Sequence, residues 1–310
     1  MEKHLSELHL DFSDDSLLAM NLALAFIMFG VSLSLKKESF KELSVNPKAV
    51  LTGMTAQFLL LPAATFLLIW FLEPLPGLAL GMLLVASCPG GNVSNFFSYV
   101  AKGNLALSVT LTAIATLLAV VLMPLNFKFW SGLLPETPDS IINIGLDFFK
   151  MAKSVFLILV LPLIAGILFA QKFPKLTLKI NKPVKIISFL ILVAFIVVAF
   201  SNNIEIFREY IHYVIYLVLI HNVMAILLGY YFAKALGNSE ADCKAISLET
   251  GIQNSGLGLV IIFTFFGGNG PMSLIAGWWG IWDIFTGLLI ANIFANQHKI
   301  LAPIKAIFKR

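Results

Sequence analysis

CPGGNVSN, residues 88–95, closes one of the most apolar stretches of the chain. Pro89 removes a backbone donor, and Gly90 and Gly91 favour an open turn over a helix. Asn92, Ser94 and Asn95 then stand where apolar side chains would continue a membrane crossing. A soluble core helix does not tolerate this cluster, and a plain membrane anchor has no use for it. A second stretch of the same kind, ETGIQN, occupies residues 249–254. Non-helical backbone at membrane depth survives only where protein buries it or a watery cavity solvates it. Two interrupted helices in corresponding places of two half-chains are the sequence mark of a transporter binding site.

The surrounding composition agrees with a crossing. Of the 310 residues 59% are hydrophobic and only 12% charged, about half the charge of a soluble domain. Apolar runs of about 20 residues, the length that spans a bilayer as helix, recur throughout. The expected fold is an all-α polytopic membrane protein with nine spans. These lie near residues 16–35, 49–71, 75–101, 104–125, 141–170, 184–200, 210–235, 242–266 and 272–295. The third is broken at Pro89-Gly90-Gly91 and the eighth around Gly251.

Lysine placement orients the spans. With the N-terminus outside, sixteen of the 21 basic residues fall on inner segments, as the positive-inside rule requires. The outer side keeps Lys3, Lys128, Lys150, Lys153 and Arg208. A cytoplasmic C-terminus, an outer N-terminus and no cleavable signal peptide are expected. The net charge of +4 comes from these short basic segments and is no nucleic-acid signal. If the halves are repeats of five helices, the first lacks its opening helix, giving an inverted repeat of four plus five. The odd total runs the two broken helices in opposite directions, so their interruptions can meet near the midplane.

The breaks carry oxygen chemistry. An unwound helix offers free carbonyls at one half-helix end and free N–H groups at the other. Carbonyl, hydroxyl, amide and carboxylate oxygens suit a hard cation such as Na⁺, and no His/Cys cluster points to a transition metal. Glu249 is the main charged candidate, since an ionisable group inside the membrane is costly unless a cation accompanies it. Gln253 lies one turn later, on the same side if the helix continues. Ser108 and Thr112 are likewise four residues apart and face one way, although back-bonding to the preceding turn explains such hydroxyls equally well. Gln57 reads as a lone buried amide fit for a helix–helix hydrogen bond. His221 and Asn222 either line the pathway or are satisfied within the bundle. Asp283, mid-span in GIWDIFTG, is a second cation or proton site, or a partner for His221. No nucleophile–base pair is evident, so the chain is not expected to be an enzyme.

These residues resemble the bile acid:sodium symporters, whose members carry CPGG-x-x-SN in one crossover helix and E-x-G-x-QN in the other. Both patterns stand here, at residues 88–95 and 249–254. The likeness extends through residues 27–35, 56–63, 103–125 and 219–234, nearly the whole chain. It implies a panel domain, about residues 16–35, 141–170 and 184–200, and a core domain, about 49–125 and 210–295. It also implies two sodium sites. The first would use Ser94, Asn95, Ser108, Thr112 and Glu249; the second Gln57, Glu249, Gln253 and the carbonyls of Thr250 and Ile252. Asn92 and Asn254 would face the substrate. Asp283 departs from the amide or imidazole of related sequences, and an extra carboxylate there repels an anion unless protonated or cation-paired. The implied activity is sodium-coupled symport of organic anions, bile acid-like or small carboxylates, by alternating access. The alternatives are proton-coupled or uncoupled transport, and a non-transporting membrane receptor. The partners expected are the solute and membrane lipid, with no nucleic acid and no obligate protein partner. The short tails point to a bacterial inner membrane.

Overall fold

The structure, a computed structural model, describes residues 14–33, 35, 42–135, 147–201 and 204–307. Among the described residues every regular element is helical, and the one extended pairing is an isolated antiparallel bridge between Gly90 and Gln253. In chain order the helices are α1 (Asp14–Ser32), α2 (Glu42–Val45), α3 (Pro47–Leu72), α4 (Pro76–Ser87), α5 (Val93–Val100) and α6 (Leu105–Ser131). They continue as α7 (Phe148–Lys172), α8 (Pro174–Ser201), α9 (Ile204–Ala235), α10 (Glu240–Gly251), α11 (Ser255–Phe265) and α12 (Gly270–Ile307). Five segments are long and apolar enough to cross a bilayer: α3, α6, α7, Tyr210–Ala235 of α9 and Gly270–Gln297 of α12.

The expected interruptions are present. α4 and α5 replace the third span, and α10 and α11 the eighth. At 12 residues each, α4 and α10 are about 18 Å long, well short of the ~30 Å of hydrocarbon in a bilayer. Several ends differ from the sequence reading. α8 begins at Pro174 rather than near residue 184, and α12 runs on to Ile307 rather than stopping near 295. Lysine is a good helix former and a helix end has no need to be apolar, so both helices run on through their basic ends. Residues 141–146 of the expected fifth span, and residue 34 of the first, lie outside the described residues. α7 starts at Phe148, where the Asp147 carboxylate accepts from the N–H groups of Phe149 and Lys150.

Two helices widen locally into a π-turn, at Ala56–Leu60 in α3 and Phe156–Val160 in α7. Each is followed by Leu-Pro: Leu61-Pro62 and Leu161-Pro162. A proline has no N–H to give the carbonyl four residues back, and its ring crowds that carbonyl. The Phe58 carbonyl, four before Pro62, instead accepts from the Asn126 amide of α6 at 2.9 Å. This matters in a bilayer, where no water is at hand to satisfy the group.

Packing surrounds the breaks. On α1, Met20, Leu24 and Met28 recur at helical spacing and are all buried. Leu24 lies against Gly256 at the start of α11, where an added Cβ would sit 3.0 Å from its Cδ2. Phe97 of α5 is buried with Leu248, Ile252 and Ala291. In the first turn of α10, Asp242 gathers three helix starts: its carboxylate accepts from Asn46 (3.2 Å), Asn104 (2.8 Å) and Ser239 (2.6 Å). Those three residues are the N-caps of α3, α6 and α10.

Candidate functional site

The two interruptions meet. The Gly91 N–H donates to the Ile252 carbonyl at 2.7 Å, and the Asn254 N–H to the Pro89 carbonyl at 3.0 Å. Two groups that a broken helix would leave orphaned in oil are thereby satisfied by the other break. Close approach, rather than backbone torsion, requires the glycines, since neither has positive φ. A Cβ on Gly90 would lie 2.6 Å from the Glu249 carboxyl carbon, and one on Gly91 would lie 2.9 Å from the Gln253 carbonyl oxygen.

Glu249, only 1% exposed, sits under Gly90 in the last turn of α10. Its Oε2 accepts from the Ser94 hydroxyl at 2.6 Å and the Thr112 hydroxyl at 2.9 Å. Asn95 Oδ1 accepts from Ser108 Oγ at 2.9 Å and Thr112 Oγ1 at 3.4 Å. Ser94, Asn95, Ser108, Thr112 and Glu249 thus form one network, built from the N-terminal turn of α5, one face of α6 and the end of α10. Thr112 Oγ1 also lies 3.1 Å from the Ser108 carbonyl, so its single proton is shared between the back-bond and the shorter contact with Glu249. Glu249 Oε1 is buried without a hydrogen-bond partner among the described residues. An orphaned carboxylate oxygen amid hydroxyl and amide oxygens fits a hard cation, and no group of three or more His, Cys, Asp or Glu occurs among the described residues.

The second expected set is arranged differently from the sequence reading. α10 ends at Gly251, so Gln253 lies in the break and not one helical turn above Glu249. Gln57 and Gln253 form a reciprocal amide pair: Gln57 Nε2 to Gln253 Oε1 at 2.9 Å, and Gln253 Nε2 to Gln57 Oε1 at 3.2 Å. Their remaining N–H groups reach the carbonyls of Cys88 (2.8 Å) and Thr250 (2.7 Å). The Ile252 carbonyl takes the Gly91 N–H of the bridge. Gln57 is therefore no isolated amide but a pin between α3 and both breaks.

Of the residues assigned to substrate, Asn92 and Asn254 flank the crossing and are half-buried. Asn92 Nδ2 reaches Met28 Sδ at 3.2 Å, while Asn254 Oδ1 caps α11 by accepting from the Leu257 N–H at 3.1 Å. His221 does not pair with Asp283. Its Nε2 meets the Thr65 hydroxyl at 2.7 Å, and its ring packs edge-on to Trp279 with centroids 4.7 Å apart. Thr65 also bonds the Leu61 carbonyl at 2.7 Å, so with its one proton given there, the histidine donates from Nε2. Asp283 instead takes the Gln253 backbone N–H on Oδ2 at 3.1 Å and the Asn222 amide on Oδ1 at 3.4 Å. The same Asn222 amide donates to the Gly251 carbonyl at 2.9 Å. Sequence reasoning did not find the Asp242 clasp, the Asn126 plug or this role of Asn222. For Asp242 a signal existed, since Asn46, Asn104 and Ser239 are residue types that favour N-caps.

Bilayer-length helices around two broken segments that cross at a buried carboxylate define a polytopic membrane transporter. Sequence comparison is specific about which. The Sodium Bile acid symporter family profile matches residues 21–210. The chain is 33% identical over 282 residues to the uncharacterized sodium-dependent transporter YocS of Bacillus subtilis (strain 168), covering 90% of this chain and 84% of that one. It is 33% identical over 240 residues to the probable chloroplastic sodium/metabolite cotransporter BASS2 of Oryza sativa subsp. japonica, covering 77% of this chain and 55% of that one. With the P3 protein of Mus musculus it shares 29% over 254 residues, 81% of this chain and 52% of that protein. It thus spans little more than half the length of the rice and mouse relatives. The chain belongs to the sodium bile acid symporter family: it is an integral membrane transporter, not an enzyme.

Proposed function

We propose that the protein is a sodium-driven symporter of organic solutes bearing a carboxylate, working by alternating access across a bacterial inner membrane. The observation that carries this reading is Glu249, a buried carboxylate with one unpartnered oxygen inside a cage of hydroxyl and amide oxygens. Sodium is cargo here, and Ser94, Asn95, Ser108, Thr112 and Glu249 would take one ion. Gln57, Gln253 and the Thr250 and Ile252 carbonyls would take a second beside Glu249. Each ion entering down the potential contributes ~2.3 kcal/mol per 100 mV. Its binding would organise the broken helices before the solute arrives, which is positive coupling between the sites. Asn92 and Asn254 would hold the solute carboxylate by amide N–H groups.

In this reading the helices form nine spans in an inverted repeat of four plus five, with the N-terminus outside. Panel helices near residues 16–35, 141–170 and 184–200 rock against a core of about 49–125 and 210–295. Support comes from α1, whose Met28 meets Asn92 and whose Leu24 meets Gly256, so a panel element closes on the crossing. The test is uptake of radiolabelled carboxylates, a bile acid among them, into proteoliposomes with and without an inward sodium gradient. Uptake that ignores sodium and survives Glu249→Ala removes the proposal. Replacing sodium by choline at several pH values exposes a proton-driven carrier.

A further inference from the structure

Lys172, Lys175, Lys179, Lys182 and Lys185 follow one another closely, and no Asp or Glu occurs from residue 148 to residue 204. α8 sorts three of these lysines onto one face. Thr177, Asn181, Val184 and Ser188 recur at helical spacing and turn inward, Thr177 and Ser188 being buried. α1 lies against that inner face: a Cβ on Gly30 would sit 2.8 Å from both Val184 Cγ1 and Ser188 Oγ. The opposite face carries Lys175, Lys179, Lys182, Ile186 and Leu190 in one stripe, and all five are exposed. The stripe therefore changes from ammonium to hydrocarbon within a single turn, between Lys182 and Ile186.

That is the order of parts in a phospholipid, headgroup first and chains after. From Lys175 to Lys182 the helix rises about 10 Å. Flexible lysine stems let all three ammoniums gather in a headgroup layer ~5–7 Å thick. No carboxylate neutralises them, since the one ion pair among the described residues is Asp147–Lys150. Lys172, the last residue of α7, lies 5.5 Å over the Phe173 ring and widens the positive end. Leu176 and Leu178 flank the stripe and are exposed, Leu178 at 79%. Lysine beside exposed leucine is the composition of a helix seated in a membrane interface.

We propose that this face of α8 binds an anionic phospholipid, with the phosphate among Lys175, Lys179 and Lys182 and an acyl chain along Ile186 and Leu190. Lysine clusters at the end of a membrane helix attract anionic headgroups, each lysine adding to the affinity. A nucleic acid or an acidic protein would match the lysines but leave the Ile186–Leu190 half of the stripe unused.

The experiment uses the full chain in detergent, titrated with dioleoylphosphatidylglycerol or dioleoylphosphatidylcholine, which share their chains and differ in headgroup. Native mass spectrometry counts the lipids retained. Wild type is expected to retain the anionic lipid in preference. Replacing Lys175, Lys179 and Lys182 together by glutamine is expected to weaken that binding about fivefold per lysine, roughly a hundredfold in all. The control replaces Lys128, Lys150 and Lys153, all exposed, the last two at the other end of α7, and is expected to bind as wild type does. Should the first variant fail to fold, wild type decides: its preference is expected to vanish in molar potassium chloride, which screens exposed charges. Equal retention of the two lipids by wild type, equal losses in the two variants, or a preference that molar salt leaves intact overturns the proposal. So does displacement of the lipid by an equal concentration of chain-free glycerol phosphate, which would make the site one for phosphate alone. RNA binding that the first variant loses while its lipid preference stays would assign the lysines to a polyanion instead.

Discussion

Thr112 and Thr116 form an internal experiment on one helix. Both are buried on α6, one turn apart, and both back-bond to the carbonyl four residues earlier. Only the Thr112 hydroxyl also reaches Glu249, at 2.9 Å. Replacing either with valine keeps the volume and removes the hydroxyl and its back-bond, so the two variants differ in the contacts of Thr112 with Glu249 and, more weakly, Asn95. A hydrogen bond to a charged group contributes about 1.5–3 kcal/mol, roughly a 10- to 150-fold change in an equilibrium constant. Thr112→Val is therefore expected to raise the sodium concentration needed for half-maximal stabilisation by that factor, and Thr116→Val to leave it in place. The assay is thermal unfolding of the purified protein across a sodium titration, with potassium holding ionic strength constant. A ligand that binds the folded state raises its stability as its concentration exceeds Kd, so the midpoint reads the affinity. Equal shifts in the two variants, or no shift in either, would refute Glu249 and its hydroxyls as the sodium cage.

Three further substitutions probe the crossing. Gly90→Ala drives a methyl into the Glu249 carboxyl and is expected to cost about 1–3 kcal/mol of overpacking, with the thermal response to sodium abolished; a normal sodium titration would contradict the close approach. Gln57→Leu strands the Gln253 amide and the Cys88 carbonyl, so thermal unfolding without sodium should already report a loss of about 1–3 kcal/mol. Asn126→Leu should cost a similar ~1–3 kcal/mol by leaving the Phe58 carbonyl unmet, yet keep the wild-type sodium midpoint. A sodium midpoint that moved would tie the α3 π-turn to ion binding.

The crossing was legible because its chemistry is local. Proline, paired glycines and amides inside apolar runs announce a break, and two breaks of opposite direction announce a meeting. The partners of the breaks were only half legible. Ser108 and Thr112 share a face by helical period alone, and both do face Asn95. The place of Gln253 beside Glu249 depended on the helix continuing past Gly251, and the helix ends there. For His221 the sequence allows a histidine satisfied within the bundle, and Thr65 and Trp279 do hold the ring; pairing with Asp283, one of the alternatives, is not what forms, because Asn222 and the Gln253 N–H take the acid. Such choices depend on which rotamers the surrounding helices admit, and a linear sequence does not carry that. The π-turns show the same limit: proline predicts a lost hydrogen bond, not that an asparagine on α6 will fill the vacancy.

The bridge between Gly91 and Ile252, and between Pro89 and Asn254, has a consequence for how the chain is made. A helix satisfies its backbone as it emerges, each N–H finding a carbonyl four residues away. The break around Gly90 cannot, because its partner at Gln253 arrives 163 residues later (253 − 90). Until then the Gly91 N–H and the Pro89 carbonyl must find water or another partner, since the hydrocarbon offers none. Closing so long a loop carries an entropy that grows only slowly with length, but contacts this distant form late. The first crossover helix therefore waits in an unfinished state through most of synthesis, and truncation anywhere before residue 254 leaves it without the backbone that completes it.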